Sequence, residues 1–479
     1  MNLESSKPRE GLCKDAVGLP QIVFFVVAAA APLTAMVGAT PAAFSLGNGV
    51  GVPGAFVLAG IMYLLFSVGY AAMSRHISNA GAFYAYIANG LGRPLGVGGA
   101  FVAIVAYNAV QIAIYSMLGF FLNSGIEQHY GLNIPWWVFV FACIAVVHFC
   151  GSRHIEFSGR LLGVLMICEV AIVLLLDLSI VFKGGGTDGF SGRSFSADAV
   201  FSPGLGTALV FVLGSYMGFE ATAIFSEEAR DPKRTIPRAT YLAILLIMAF
   251  YAFSAWAIVQ AWGESHIVDQ ALRDPANLWF AVSQRLLGKV ATDAMNILLV
   301  TSLFAAILSF HNTITRYFYA MGREGVLWKR LGHTSPVHHC PDVAGKVQTG
   351  IAVIAVFVSA ALGLDPFVIV FSWMSALATI GIVAVQILVA GSVIAFFAHD
   401  HRDASVSQRL IAPAISMAAL GACLVLVIKN LPVLSGSESH VVAMFPYLLL
   451  TIGVAGVWAA LRLRRKDPVR YQTLGRAVQ

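Results

Sequence analysis

The feature that most limits what this chain can become is a succession of about twelve apolar runs, near residues 17–45, 53–74, 97–122, 134–150, 160–182, 203–225, 239–262, 290–315, 346–363, 366–398, 411–431 and 443–461. A hydrocarbon layer of about 30 Å takes about 20 residues of helix. Inside it, only helices and closed barrels satisfy every backbone N–H and C=O. The runs lack the ten-residue alternation of a membrane barrel, so an all-α integral membrane protein with about twelve transmembrane helices is expected. Composition agrees: 58% of residues are hydrophobic, 11% are charged, and the mean hydropathy is +0.80, far from the balance of a soluble domain.

Lys and Arg set the orientation. With a cytoplasmic start and twelve spans, 24 of the 30 basic residues fall on the cytoplasmic side; Lys183, Arg193, Arg273, Arg285, Lys289 and Lys429 fall outside. That split places both termini in the cytoplasm, and the formal charge of +6 reflects topology rather than nucleic-acid binding. The polar, acid-bearing start lacks the cleavage pattern of a removable signal peptide. The six cysteines are scattered, mostly in apolar runs, with neither metal spacing nor a disulfide framework, and are read as packing residues. Neither a Walker-type phosphate loop nor room for a sizeable soluble domain is present. Transport would therefore draw on an ion or solute gradient.

Two runs are interrupted. The first, "VVAAAAPLTAMVGATPAAF" (26–44), holds Pro32 in mid-span. Proline removes a backbone donor and clashes with the preceding turn, so a break is expected near 29–34. The sixth holds Gly214 and Gly218 around "SYM". These runs occupy equivalent places if spans 1–5 and 6–10 are repeats, and a pair of broken helices at corresponding positions points to a secondary transporter with inverted repeats. Gly and Pro are also common in membrane helices as simple kinks.

Three stretches carry a family resemblance. "GFEATAIFSEEARDPKRTIPRA" (218–239) resembles the sixth-helix signature of the amino acid/polyamine/organocation permeases. "HNTITRYFYAMGREGVLWKRLGHTSP" (311–336) looks like the end of that family's eighth helix, and "RHISNAGAFYAYIANGLGRPLG" (75–96) is similar to the loop after its second helix. The resemblance implies a five-plus-five inverted-repeat (LeuT-like) fold with broken helices 1 and 6 and two additional C-terminal helices. It also implies alternating access and a substrate that is an amino acid or related amine. The expected organisation is a cytoplasmic N-terminal segment (1–16), a first repeat (17–182), a second inverted repeat (203–398), helices 11 and 12 (411–461) and a basic cytoplasmic tail (462–479).

The resemblance directs attention to particular residues. Glu220 lies inside a span, where an unpaired carboxylate is costly and a functional role is the default expectation. The corresponding family position is implicated in proton sensing in some members; the bland alternative is a carboxylate that caps free amides after Gly218. Glu169 is expected where some relatives carry a lysine that stands in for sodium, so it becomes a second candidate for proton or ion coupling. Asp177 follows eight residues later, near the same helix face. Many relatives have a glycine-rich first break, whereas this chain reads "APLTAMVG". After the break at Pro32, backbone amides near Leu33, Thr34 and Ala35, helped by the Thr34 hydroxyl and with Gly38 beyond, would take a substrate carboxylate. Carbonyls near Gly214, Ser215 and Tyr216 would take an ammonium, before the turn at Gly218. Tyr216 and Phe219 are candidate gates, or equally core aromatics.

In the third run Tyr107, Asn108 and Gln111 form a polar cluster that lines a cavity or joins helices. Ser309, His311 and Asn312 in the eighth run suggest a structural or inner-gate role. The histidine-rich stretches "HTSPVHHC" and "HDHRD" lack an ordered pair of ligand spacings, so no metal is expected, and no cofactor. With no second buried cation for another substrate carboxylate, the sequence favours proton-coupled import of a neutral amino acid across the cytoplasmic membrane. A polyamine or monoamine importer and an exchanger are the alternatives. A channel lacks its repeated polar rings and a membrane enzyme its catalytic constellation; a sensor without transport stays an alternative, although no cytoplasmic output domain is expected after the last run.

Overall fold

The computed structural model describes residues 18–77, 82–152, 159–186, 189–220, 222, 229–335, 340–401, 404–435 and 440–475. Among these residues it consists of helices joined by turns and loops, with no β-strand. The first apolar run divides in two. Helix α1 (Leu19–Ala29) stops, Ala31 sits in the left-handed region with φ +46, and beyond Pro32 the chain resumes as a π-wound turn (Thr34–Ala39) leading into α2 (Thr40–Leu46).

The rest of the first half comprises α3 (Val52–Ser74), α4 (Ala82–Gly90), α5 (Arg93–Tyr130), α6 (Trp136–Ser152) and α7 (Gly159–Phe182). After the short α8 (Ala197–Val200), the second interrupted segment begins as α9 (Leu205–Ser215). Then come α10 (Pro232–Trp262), the short α11 (Ile267–Arg273) and α12 (Leu278–Leu286), α13 (Lys289–Arg323) and α14 (Asp342–Ala361). A π-wound turn (Pro366–Phe371) opens α15 (Ser372–His399), and α16 (Ala412–Ser435), α17 (His440–Ala443), α18 (Phe445–Lys466) and α19 (Pro468–Thr473) complete the chain.

Local chemistry explains several boundaries. Proline occupies the first turn of α3, α5, α10 and α18, where its missing N–H costs nothing. Gly131 ends α5 in the left-handed conformation, as a C-cap glycine does. Asp365 caps the turn before α15, its carboxylate accepting from the N–H groups of Phe367 and Val368 at 2.9 and 2.6 Å. The sequence places a loop between the second and third runs; the structure winds part of it into α4.

Among the described residues nine helices are long and apolar enough to cross a membrane, and three shorter apolar helices (Thr34–Leu46, Trp136–Ser152 and Leu205–Ser215) account for the remaining runs. Two of those three are the interrupted segments. Large apolar side chains point outward in stripes: on α18, Tyr447, Leu450, Val454 and Trp458 are exposed at helical spacing. Apolar surface of this extent suits lipid, not water. Inside, Phe56, Tyr63, Phe66, Tyr216, Phe219 and Tyr251 form an aromatic core with ring centroids 5.0–6.5 Å apart.

Around the interruptions α3 packs against α10, α5 against α13, α6 against α14, and the π-wound turn after Ala31 against α9. At one end of the bundle the C-terminal segment folds back on α4. The Asn89 side chain donates to the Gly475 carbonyl at 3.4 Å, that of Arg93 donates to Gln472 at 3.0 Å, and Leu474 is buried. Beside them the Tyr84 hydroxyl donates to Glu324 Oε2 at 2.6 Å. Burial holds the Glu324 carboxyl above the ordinary carboxylate range, against the opposing pull of that hydrogen bond.

Candidate functional site

The two interruptions meet at one cavity of about 590 Å3, its open side included. The first contributes Ala31, Thr34 and Ala35, the second Gly214, Ser215 and Met217. Three continuous helices close the ring. From α5 come Val110, Ala113, Ile114 and Met117, spaced i, i+3, i+4 and i+7 and hence on one face. From α13 come Ala306 and Phe310, and from the α15 segment Phe371, Ser375, Ala378 and Thr379. The wall is apolar apart from the hydroxyls of Thr34, Ser215, Ser375 and Thr379, and no lining residue has an ionisable side chain. Ser215 Oγ donates to the Phe211 carbonyl and Thr379 Oγ1 to the Val210 carbonyl, both at 2.8 Å.

The first interruption is strained. Ala31 at φ +46 occupies a region that costs a residue with a Cβ roughly 1–2 kcal/mol. Tyr251 steadies it by donating its hydroxyl to the Ala30 carbonyl at 2.9 Å. Behind the wall, Thr34 Oγ1 donates to Ser302 Oγ at 3.0 Å and Ser302 donates to Glu169 Oε2 at 2.8 Å, with the Leu33 backbone amide beside that carboxylate. Glu169 is thus two hydrogen bonds from the cavity. Farther along α7, Asp177 is fully buried and accepts from Ser254 Oγ at 2.5 Å.

The second interruption is built on glycine. Helix α9 ends at Ser215, a turn follows, and Gly218 has φ +113, a conformation that suits glycine alone. Glu220 folds back on this turn: Gly218 N–H donates to its Oε2 at 2.9 Å and the Tyr107 hydroxyl to its Oε1 at 2.9 Å, while the Tyr70 hydroxyl donates to its backbone carbonyl at 3.1 Å. Its side chain sits among Tyr63, Tyr107 and Tyr317. Among the described residues no cation pairs with Glu169, Asp177 or Glu220. The second half-helix expected from Gly218 onward falls largely on residues 221 and 223–228, outside the described residues, as does part of the "SEEARDPKRTIPRA" turn.

Of the ten expected substrate residues, the cavity wall takes in Thr34, Ala35, Gly214 and Ser215. Pro32, Leu33 and Gly38 lie in the same segment without reaching that wall. Tyr216 is buried behind it, its hydroxyl donating to the Phe56 carbonyl at 2.7 Å, and Phe219 packs on Tyr63 and Phe66. Tyr107 serves Glu220. Asn108 bonds back to Ile104 of its own helix at 2.8 Å, and Gln111 joins helices, donating to Ile307 at 3.1 Å and accepting from Gln348 at 2.5 Å. His311 is buried beside Gly151 and Gly345, away from the cavity wall.

The α5 face, Phe310, Ser375 and Thr379 escaped the sequence reading, because a helix that is apolar all round offers no stripe to read. The histidine stretches lie partly on 336–339 and 402–403, outside the described residues; within them His333 Nδ1 meets Asp342 Oδ1 at 2.9 Å. Among the described residues no group of three His, Cys, Asp or Glu side chains is placed to hold a metal ion.

The sequence profile described as "Amino acid permease" matches residues 21–468. The chain belongs to that family, within the amino acid/polyamine/organocation superfamily. It is 23% identical to the low-affinity putrescine importer PlaP of Escherichia coli strain K12 over 313 residues, 64% of this chain and 67% of that one. It is 22% identical to the serine/threonine exchanger SteT of Bacillus subtilis, covering 64% of this chain and 68% of that one. It is 24% identical to the branched-chain amino acid permease BcaP of Lactococcus lactis, covering 59% and 63%. The protein is a multi-pass membrane transporter of amino acids or amines, not an enzyme.

Proposed function

We propose that the chain imports a neutral amino acid across the cytoplasmic membrane by proton-coupled alternating access. The observation that carries this reading is a cavity bounded by both helix interruptions whose wall holds hydroxyls and apolar groups but no ionisable side chain. Interrupted helices leave backbone groups free for the charged ends of a small solute, and the apolar wall receives an uncharged side chain. A diamine would place a second ammonium against that wall, with Glu169 held behind two hydroxyls. Thr34, Ala35, Gly214 and Ser215 are the proposed substrate contacts, and Glu220 and Glu169 the proposed coupling groups.

The architecture proposed with this function has twelve spans in two inverted repeats, 17–182 and 203–398, followed by two further helices within 411–461. Supporting it, helices equivalent under the repeat pack on one another: the two interrupted segments, α3 with α10, α5 with α13, and α6 with α14. The distribution of Lys and Arg supports cytoplasmic termini. The test is uptake into sodium-free proteoliposomes under an inside-alkaline pH gradient, with labelled neutral amino acids and putrescine in parallel. Protonophore-sensitive accumulation of a neutral amino acid is expected. Putrescine accumulation alone overturns the substrate class, and exchange without accumulation overturns the coupling.

A further inference from the structure

The α5 face that lines the cavity ends in Met117, and the thioether of Met117 lies against the bare Cα of Gly38 in the first interrupted segment. A Cβ at residue 38 would clash with Met117 Sδ and approach its Cε and Cγ at 3.3 and 3.7 Å. Gly38 has no left-handed backbone to explain it, so what the position needs is the absence of a side chain. Met117 is itself buried, and its open side is the cavity. An unbranched thioether adapts its rotamers to the space it is given, so anything pushing from residue 38 drives it toward the substrate. Trimming it opens the cavity by the same route.

We propose that Met117, seated on Gly38, sets the size limit for the apolar side chain of the transported amino acid. The inference rests on the neutral amino acid reading above. Ile114 and Val110 form the fixed part of the same wall, β-branched and stiff at χ1, whereas Met117 is the adjustable end. The residues flanking the first interruption, Ala31 and Ala35, are small and leave room for the polar ends of a solute.

The experiment measures the ratio of uptake for alanine, leucine and phenylalanine in proteoliposomes holding the full chain, with putrescine alongside. Met117→Ala is expected to raise the phenylalanine-to-leucine ratio about tenfold, since one or two methylenes in an apolar pocket change discrimination by that order. Met117→Val, a smaller change, moves it the same way by less, so the readout does not hang on one variant folding. Gly38→Ala shifts the preference toward alanine, and combining it with Met117→Ala restores leucine. A ratio that stays fixed in both Met117 variants, or an equal loss for every solute, overturns the inference while leaving the transport reading intact. Wild-type uptake of putrescine with none of the neutral amino acids overturns both.

Discussion

The two helix interruptions solve one problem by different chemistry. At the first, proline removes a backbone donor and an alanine is held at φ +46; the nearest carboxylate, Glu169, comes from another helix through Ser302 and Thr34. At the second, a glycine adopts φ +113 without strain, and the carboxylate, Glu220, is local and takes up the glycine's own N–H. The contrast separates two duties. The first interruption depends on neighbouring elements for its shape, whereas the second carries its acid within the turn and links it to α5 through Tyr107.

If the acid of the second interruption couples transport, Glu220→Gln has the largest effect of any single change: accumulation under a pH gradient falls to the protonophore-treated level while exchange in preloaded vesicles survives. Undiminished accumulation in that variant would remove Glu220 from the coupling role. Next in size is Gly218→Ala, where a Cβ at φ +113 costs about 2 kcal/mol and lowers the thermal midpoint in detergent; an unchanged midpoint would mean that the turn tolerates a side chain. The opposite sign is expected at the first interruption. Ala31→Gly relieves the left-handed penalty but frees the unfolded chain, for a net gain of up to about 1 kcal/mol. A loss there would show that the Ala31 methyl contributes packing that outweighs its strain.

Both carboxylates of this comparison lie within the membrane-spanning bundle. Glu324, at the bundle's end, gives a smaller, pH-dependent effect. Burial raises its folded-state value, so the folded protein holds the proton more tightly than the unfolded chain. Its contribution to stability is therefore full below the ordinary carboxylate range and declines as pH rises through the raised value. Thermal midpoints measured across that window are expected to fall with rising pH in the wild type and to flatten in Glu324→Gln; equal slopes would assign the pH dependence elsewhere.

What the sequence makes legible follows from which physical rules are local. Pro32 marks the first interruption within a residue or two of Ala31, because the loss of an N–H and a ring clash act on the adjacent turn. Gly214 and Gly218 bracket the second for a different but equally local reason: without a Cβ, Gly218 adopts φ +113 at no steric cost. Glu169 and Glu220 stand out because charge in an apolar run is rare. The cavity wall does not stand out: Val110, Ile114 and Met117 belong to a helix apolar on every side, and only its packing against α13 and α15 decides which face is enclosed. Tyr216 and Phe219, expected as gates or core aromatics, sit in the aromatic core, and nothing in their local sequence distinguishes the two positions. Tyr107 was legible as a polar residue in lipid, but its link to Glu220, 113 positions away in sequence, was not.

Helix α5 has 38 residues, about 57 Å at 1.5 Å per residue, against a hydrocarbon layer of about 30 Å. Even at a tilt of 40° it rises about 44 Å along the membrane normal, the full thickness of the bilayer with its headgroups. Helix α6, with 17 residues, is only about 26 Å long, shorter than the hydrocarbon layer. A thinner or thicker bilayer is therefore expected to be felt first by α6, which has no length to spare, and least by α5, which has length in excess. The Val110–Met117 face, in the middle of the longest helix of the bundle, is buffered against the lipid composition around it.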